Sequence, residues 1–346
     1  DARMQWKRTP QHMELQFTQV KFSNADAEGS ASGSYRTSAT GSGSIDLDAR
    51  LPRADGKAVW RYIPLQAGTD TAPFLERALQ QATASDVTLK LKGELDKFPF
   101  ADRSGTFRVQ GRFRDGVLRY ADDWPQIENI AGTLDFDGPA MTITAQEARI
   151  MGVRAAPTKA VIADLEHAQS LLVEGKAAGA TMEFLKFIEA SPVAAEIDHA
   201  TRGMTASGNG ELDLKLALSL HHLADSTVSG SYRFDNNSLL LDPAMPALEA
   251  VRGKLDFTSK SLRAKGVTAT MLGMPLRFDM KTEDGGAIVA DVVGDFDTAQ
   301  LQQRFFGAGA QEQRAAHRQR DQPGGDGPIG VDHGQPHLPQ PRSAQR

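Results

Sequence analysis

The 346-residue chain predicts a mainly β protein built as an antiparallel sheet. Three observations carry that prediction: short segments in which apolar and polar residues alternate, 32 glycines scattered between them, and an internal repeat too long to be a solenoid unit. The repeat is clearest from Trp124 to Gly152. Sliding this stretch by 121 positions lays Pro125, Glu128, Gly132, Leu134, Asp135, Phe136, Ala148 and Gly152 on Pro246, Glu249, Gly253, Leu255, Asp256, Phe257, Ala269 and Gly273. Upstream, Val109-Gln110-Gly111 answers Val228-Ser229-Gly230, and Gly93-Glu94-Leu95-Asp96 recurs as Gly210-Glu211-Leu212-Asp213. A period of roughly 120 residues requires each copy to hold many strands rather than one supersecondary unit.

In chain order, Met13 to Phe22 largely alternates, as a half-buried strand does. Gly29 to Ser44 is rich in glycine and serine but contains Ser34-Tyr35-Arg36, which reads as a weak strand between turns or bulges, and Ile45 to Leu51 alternates again. From Thr69 to Thr83 the period changes. Asp70 or Thr71 can cap, Pro73 suits a first turn, and Phe74, Leu75, Ala78, Leu79 and Ala82 share one helical face. The counterpart in the second copy is Thr181 to Glu189, broken near Ser191-Pro192.

The strands that follow each helix are more regular. Val87, Leu89 and Leu91 share a face, as do Phe107, Val109 and Phe113, while Asp115-Gly116 predicts a hairpin turn. In the second copy Leu212, Leu214, Leu216 and Leu218 alternate with mostly polar residues, and Asp235 to Ser238 predicts the matching hairpin. Leu276 to Met280 and Ala287 to Val293 are the last strands expected, followed by a short helix at 298–306. From Gly307 onward Gln, Arg, Pro, Gly and His dominate, a composition that reads as disordered or translated out of frame. The expected division is therefore 1–58, N-terminal strands of a partial repeat; 59–179, first repeat; 180–306, second repeat; and 307–346, tail.

Charge and composition exclude several functions. A net charge of −5 without a dense Lys/Arg cluster removes nucleic acid and anionic membrane surfaces as main partners. The absence of cysteine removes disulfides and thiolate metal sites. No apolar run reaches the roughly 18 residues of a membrane span, and the first residues are no signal peptide, so the sequence reads as an internal fragment whose targeting signals lie outside it. Catalytic patterns are poor. Asp135 and Asp256 recur but alternate with apolar neighbours, which sends them to the solvated face. His221-His222 has no third ligand nearby, and Gly41-Ser42-Gly43 and Gly208-Asn209-Gly210 precede strands rather than the helix N-terminus that a phosphate loop needs. No cofactor or metal is expected. Trp60, Tyr62 and Trp124 suit either a sheet rim or the packing of hairpin ends.

Each strand thus has one apolar face, and alternation alone leaves open whether that face closes as a dry sandwich core or lines a trough. Val59-Trp60-Arg61-Tyr62-Ile63-Pro64-Leu65, Lys97-Phe98-Pro99-Phe100 and Tyr120-Ala121-Asp122-Asp123-Trp124-Pro125 leading into Gly132-Thr133-Leu134-Asp135-Phe136 resemble, in order, motifs of the YhdP family of AsmA-like envelope proteins. The resemblance spans about Met13 to Phe306. It implies an elongated, curled sheet forming an apolar groove, in a periplasmic protein that carries phospholipid between inner and outer membranes and is not an enzyme. The groove would be lined by Leu89, Leu91, Phe107, Val109, Phe113, Leu134 and Phe136 in the first copy, and by Leu212, Leu214, Leu216, Leu218, Leu255, Phe257 and Phe278 in the second. Inner-membrane anchoring would come from an N-terminal helix absent from this sequence. Two other readings remain: a non-conducting envelope scaffold, and, with least support, a polysaccharide-acting enzyme, which needs convergent carboxylates.

Overall fold

Alternating segments become strand after strand of one sheet. Strands β1 (Ala2–Arg8), β2 (Met13–Ser23), β3 (Ala27–Arg36) and β4 (Ser44–Asp55) precede a 3-10 turn at Gly56–Tyr62 and helix α1 (Thr71–Ala78). Then come β5 (Leu79–Glu94), β6 (Thr106–Leu118), β7 (Ile127–Asp137), β8 (Ala140–Ile150), β9 (Val153–Ile162) and β10 (Ser170–Ala180). Helices α2 (Thr181–Glu189) and α3 (Val193–Glu196) lead into β11 (Thr205–Ser207), β12 (Asn209–Ser219), β13 (Thr227–Leu240), β14 (Leu248–Thr258), β15 (Leu262–Met271), β16 (Met274–Thr282) and β17 (Ile288–Gly294). The computed structural model describes residues 1–63, 71–165, 167, 170–219, 225–284 and 286–294. These lie in a unit spanning Asp1–Asp295, and a second unit, Phe296–Arg346, is outside the described residues. So are the helix expected at 298–306, the tail from 307, His221-His222, Pro64-Leu65 and the proposed cap Asp70.

The topology is an uninterrupted antiparallel meander. Each strand from β2 to β10 pairs with its predecessor. The ladder continues from β10 to β12 and on through β17. β11 is a detached end of β12 and pairs with the same neighbour, β13. At about 4.8 Å per strand the sheet runs roughly 70 Å across its strands, elongated as expected. Because the strands alternate, β4, β6, β8 and β10 all end on one rim, which carries α1, the loop 119–126, the Met151-Gly152 turn and α2.

The repeat holds at the level of register. Phe113↔Gly132, Gly116↔Ile130 and Leu118↔Ile127 in the first copy are reproduced, 121 residues on, as Phe234↔Gly253, Asn237↔Val251 and Leu239↔Leu248. Leu134↔Ile143 likewise becomes Leu255↔Ala264. The tetrapeptide Gly-Glu-Leu-Asp does not share this equivalence. It closes β5 at Gly93 but opens β12 at Gly210, while the pairs Leu91↔Phe107 and Leu216↔Val228 align β5 on β12 with a shift of 125.

Two local expectations are overturned. Asp115-Gly116 and Asp235 to Ser238 are not hairpin turns, because β6 and β13 run straight through them. Asp115 (φ 57) and Asn236 (φ 61) take the left-handed conformation as bulge residues, and the register shifts on both sides. A turn signal inside a long strand is satisfied by a bulge when partners exist beyond it, and here β7 and β14 supply them. Helix α1 is also shorter than the expected 69–83: Leu79 pairs with Leu118 and Thr83 with both Asp55 and Arg114, so ladder bonds on two sides outweigh the helical period.

The bulge in β13 holds a buried polar knot. The Asn237 side chain is 0% exposed; its Nδ2 donates to Thr181 Oγ1 (2.6 Å), Asn209 O (3.0 Å) and Ser207 O (3.2 Å), while its Oδ1 accepts from the Asp235 N–H (2.8 Å). Tyr232 OH donates to the same Thr181 hydroxyl at 2.9 Å. This pins the start of α2 to β13. Because truncation leaves buried partners unsatisfied, Asn237→Ala is expected to cost about 2–4 kcal/mol in denaturant unfolding. A loss below about 0.5 kcal/mol would show the knot to be energetically idle.

Candidate functional site

Side chains directly opposite one another in a ladder share a face, so the registers trace what each face carries. In the first copy Leu89↔Val109↔Phe136↔Met141 and Leu91↔Phe107 run across β5 to β8, with Leu134 and Phe113 on the same side. At the junction, β10 sets Leu171, Val173, Gly175 and Ala177 against Leu218, Leu216, Leu214 and Leu212. The second copy continues as Leu212↔Tyr232↔Leu255 and Leu214↔Gly230↔Phe257, and Phe278 pairs with Val267 and Val292. None of the paired positions named here is charged. All fourteen residues expected to line a groove therefore lie on one face.

Their burial is distinctive: every one of the fourteen is half-buried. The fully buried apolar residues are instead mostly alanines, with Phe100, Tyr232 and Leu276 the large exceptions among the described residues. A dry sandwich would seat its leucines and phenylalanines between two layers. Here all strands belong to one sheet. Aromatic rings lie low against it: a Cβ on Gly230 would sit 2.6 Å from Phe257 Cζ, and one on Gly132 3.0 Å from Phe113 Cζ.

Several residues beyond the fourteen also lie on this face. Leu15, Phe17 and Val20 on β2 and Leu47 on β4 lead into it through Tyr35, Gly33 and Ala31 of β3. The alternation of Met13–Phe22 and Ile45–Leu51 already held that signal. Val173 was harder to find, because Leu172, 47% exposed on the opposite face, masks the period.

The opposite face is ionic. Lys92–Asp46 (2.7 Å), Arg108–Asp135 (3.6 Å), Lys176–Asp213 (2.9 Å), Lys215–Glu174 (3.0 Å) and Lys254–Asp256 (2.7 Å) tie neighbouring strands or one strand to itself. Each exposed pair is worth only about 0–1 kcal/mol, but a one-residue slip would bring charges onto the apolar side, so together they fix register. Asp135 also accepts from Gln110 Nε2 at 3.0 Å. Asp135 on β7 and Asp256 on β14 are six strand steps apart, roughly 30 Å of sheet, and cannot converge as an acid–base pair. Among the described residues no group of three or more His, Asp or Glu could hold a metal ion.

Aromatic residues gather on the helical rim. Trp124 packs on Tyr120 (5.9 Å between centroids) and on Phe187 of α2 (6.0 Å), joining the first copy's loop to the second copy's helix. Phe184 meets Tyr232 at 5.1 Å, so α2 covers the end of the apolar face. Arg61 lies over Trp60 and pairs with Asp26, to which Tyr62 OH also donates (3.0 Å). Burial pushes the Tyr120 phenol from 10.0 up to about 12. Since its folded value is the higher, its contribution to stability is complete below pH about 10 and is lost as pH rises towards about 12. In an alkaline titration part of the phenolate absorbance should be delayed towards that range, and Tyr120→Phe should shrink the delayed step to the share of Tyr232, whose phenol burial also raises. An unchanged titration curve would refute the assignment.

Among the described residues no helix is long and apolar enough to cross a membrane. A family model described as "YhdP protein" matches residues 1–313. The "Intermembrane phospholipid transporter YhdP" of Escherichia coli (strain K12) is 26% identical over 242 residues, which is 70% of this chain and 19% of that protein. The chain thus spans about a fifth of its relative's length. No solved structure matches it.

Proposed function

Because the chain belongs to the YhdP family, we propose that its sheet is a segment of a periplasmic, lipid-conducting groove that moves phospholipid between the inner and outer membranes. The observation that carries this reading is the apolar face itself, continuous from strand to strand, with all fourteen of its expected lining residues only half-buried. A lipid leaving a bilayer exposes acyl chain at about 0.8 kcal/mol per CH₂, so a chain of about sixteen carbons costs roughly 12 kcal/mol in water. A continuous trough removes most of that barrier. It needs no bond-making chemistry, in keeping with the name of the Escherichia coli relative. Copies 59–179 and 180–306 would each contribute one stretch of trough and 1–58 a partial one, in a protein anchored in the inner membrane.

The test is direct. A photocrosslinking amino acid placed at Val109, Leu214 or Phe257 should capture phospholipid in cells, whereas one at Lys90 or Lys215 on the ionic face should not. Equal capture on the two faces, or none on either, would leave a non-conducting envelope scaffold as the better reading.

A further inference from the structure

We propose that the loop between β5 and β6 is a bank of the groove: Phe98 walls the first copy's trough at the rim opposite the helices, so that acyl chains run over Val109, Gly111 and Leu134 and are kept off Phe107. The proposal rests on the transport reading and adds to it a positioning residue and a limit to the path. The loop leaves β5 after Glu94 and enters β6 at Thr106. It lies over the apolar face rather than hanging from its edge. The Phe98 ring stands edge-on to Phe107 at 4.8 Å between centroids, and Phe107 in turn meets Phe136 at 6.3 Å. Phe100, 3% exposed, meets Phe98 at 6.2 Å and fills the corner beside the sheet. A Cβ on Gly93 would sit 2.7 Å from its Cε1 and one on Gly105 2.6 Å from its Cδ1, so both glycines make room for the ring.

Two features suit this loop to bound a path for acyl chains. The first is its polarity. Phe98 is half-buried and leaves part of a ring without polar atoms open above the face, whereas Asp96, Lys97, Asp102 and Arg103 are exposed. Apolar surface is thus carried up from the sheet where the strands end, and the charges stay in water. The second is its anchorage, which explains the turn Gly41-Ser42-Gly43 between β3 and β4. The Ser42 N–H donates to both carboxylate oxygens of Asp96, at 3.0 and 3.1 Å, and the Leu95 N–H to Gly43 O at 2.9 Å. Tyr35 OH steadies the turn through Ser42 O at 2.8 Å, and a Cβ on Gly41 would run into the Asp96 carboxylate. The wall is therefore held from two connections of the same rim. Further along, Phe184 of α2 covers the opposite end of the face at Tyr232, so the open floor is bounded from both rims.

A photocrosslinking phenylalanine analogue placed in turn at Phe98, Phe107, Val109 and Leu214 tests this in cells. Phe98 and Val109 should capture phospholipid alike, and Phe107, behind the wall, about fivefold less. Phe98→Ala should raise capture at Phe107 by about the same factor and leave capture at Leu214, far along the sheet, unchanged. A ring that merely stabilised the fold would lower capture everywhere. Asp96→Ala keeps the rings and cuts only the tie to Ser42, so it should also raise capture at Phe107, and it decides the matter if Phe98→Ala fails to fold by circular dichroism. The bank alone is overturned if Val109 and Leu214 capture lipid while Phe107 matches Val109, Phe98 captures none, or capture at Phe107 is indifferent to a folded Phe98→Ala or Asp96→Ala variant. Capture at none of the four positions overturns the transport reading and the bank with it.

Discussion

Leu216→Asp is expected to yield a folded, soluble protein that has lost lipid occupancy in its neighbourhood. Leu216 sits between Val173 and Val228 in the middle of the apolar face and is half-buried. Removing its side chain forfeits about half of a leucine's burial, roughly 1–2 kcal/mol, and the carboxylate that replaces it can stay hydrated on the open side. In a closed core the same change would bury an unpaired charge and cost several kcal/mol, enough to unfold a marginal domain. The two readings therefore demand opposite results. Thermal unfolding and lipid photocrosslinking from Leu214 or Val228 should be measured together. A folded variant with undiminished crosslinking would sink the groove, and an unfolded variant would point to a closed interior.

The largest stability effects are expected at Gly132 and Gly253, which occupy equivalent places opposite Phe113 and Phe234. A Cβ on Gly132 would stand 2.1 Å from the carbonyl oxygen of Thr144. Gly253 adopts φ +145, a conformation side chains rarely take, and a Cβ there would meet Val267 Cγ2 at 2.8 Å. Valine at either position must displace backbone or a fully buried neighbour, so each substitution should cost about 3 kcal/mol or more, and by similar amounts. Urea unfolding of the two single variants checks this. A large loss at one site beside less than about 1 kcal/mol at the other would mean that shared register does not imply a shared backbone role.

Much of this was legible because period two is a strong signal where one face meets water. The leucines of β12, the alternation of β2 and β4 and the repeat anchored on Trp124–Gly152 all fall on one apolar face in the registers. What failed was punctuation. Asp115-Gly116 and Asp235–Ser238 carry turn residues, but whether such residues make a turn or a bulge depends on whether the next strand offers partners, which is a long-range fact. The Gly-Glu-Leu-Asp match misled for a different reason: four letters recur easily in alternating sequence, and only the registers expose the difference in phase. Asn237 was invisible as a buried group, because its burial requires α2 to return over β13 and bring Thr181 within reach.

The meander has a kinetic consequence. Every strand finds its partner in the segment just made, so β-sheet forms here without the distant pairings that slow most all-β proteins, whose folding rates fall as contacts become less local. Such a chain can grow its native structure behind a leading end as it emerges from a narrow exit, each new strand adding to a finished edge. Its stability is correspondingly close to one-dimensional, a sum of strand-on-neighbour terms, so fraying at β1 or β17 need not propagate into the interior. A sheet whose large apolar side chains are mostly only half-buried has little central core to nucleate around, and local pairing provides another route to order.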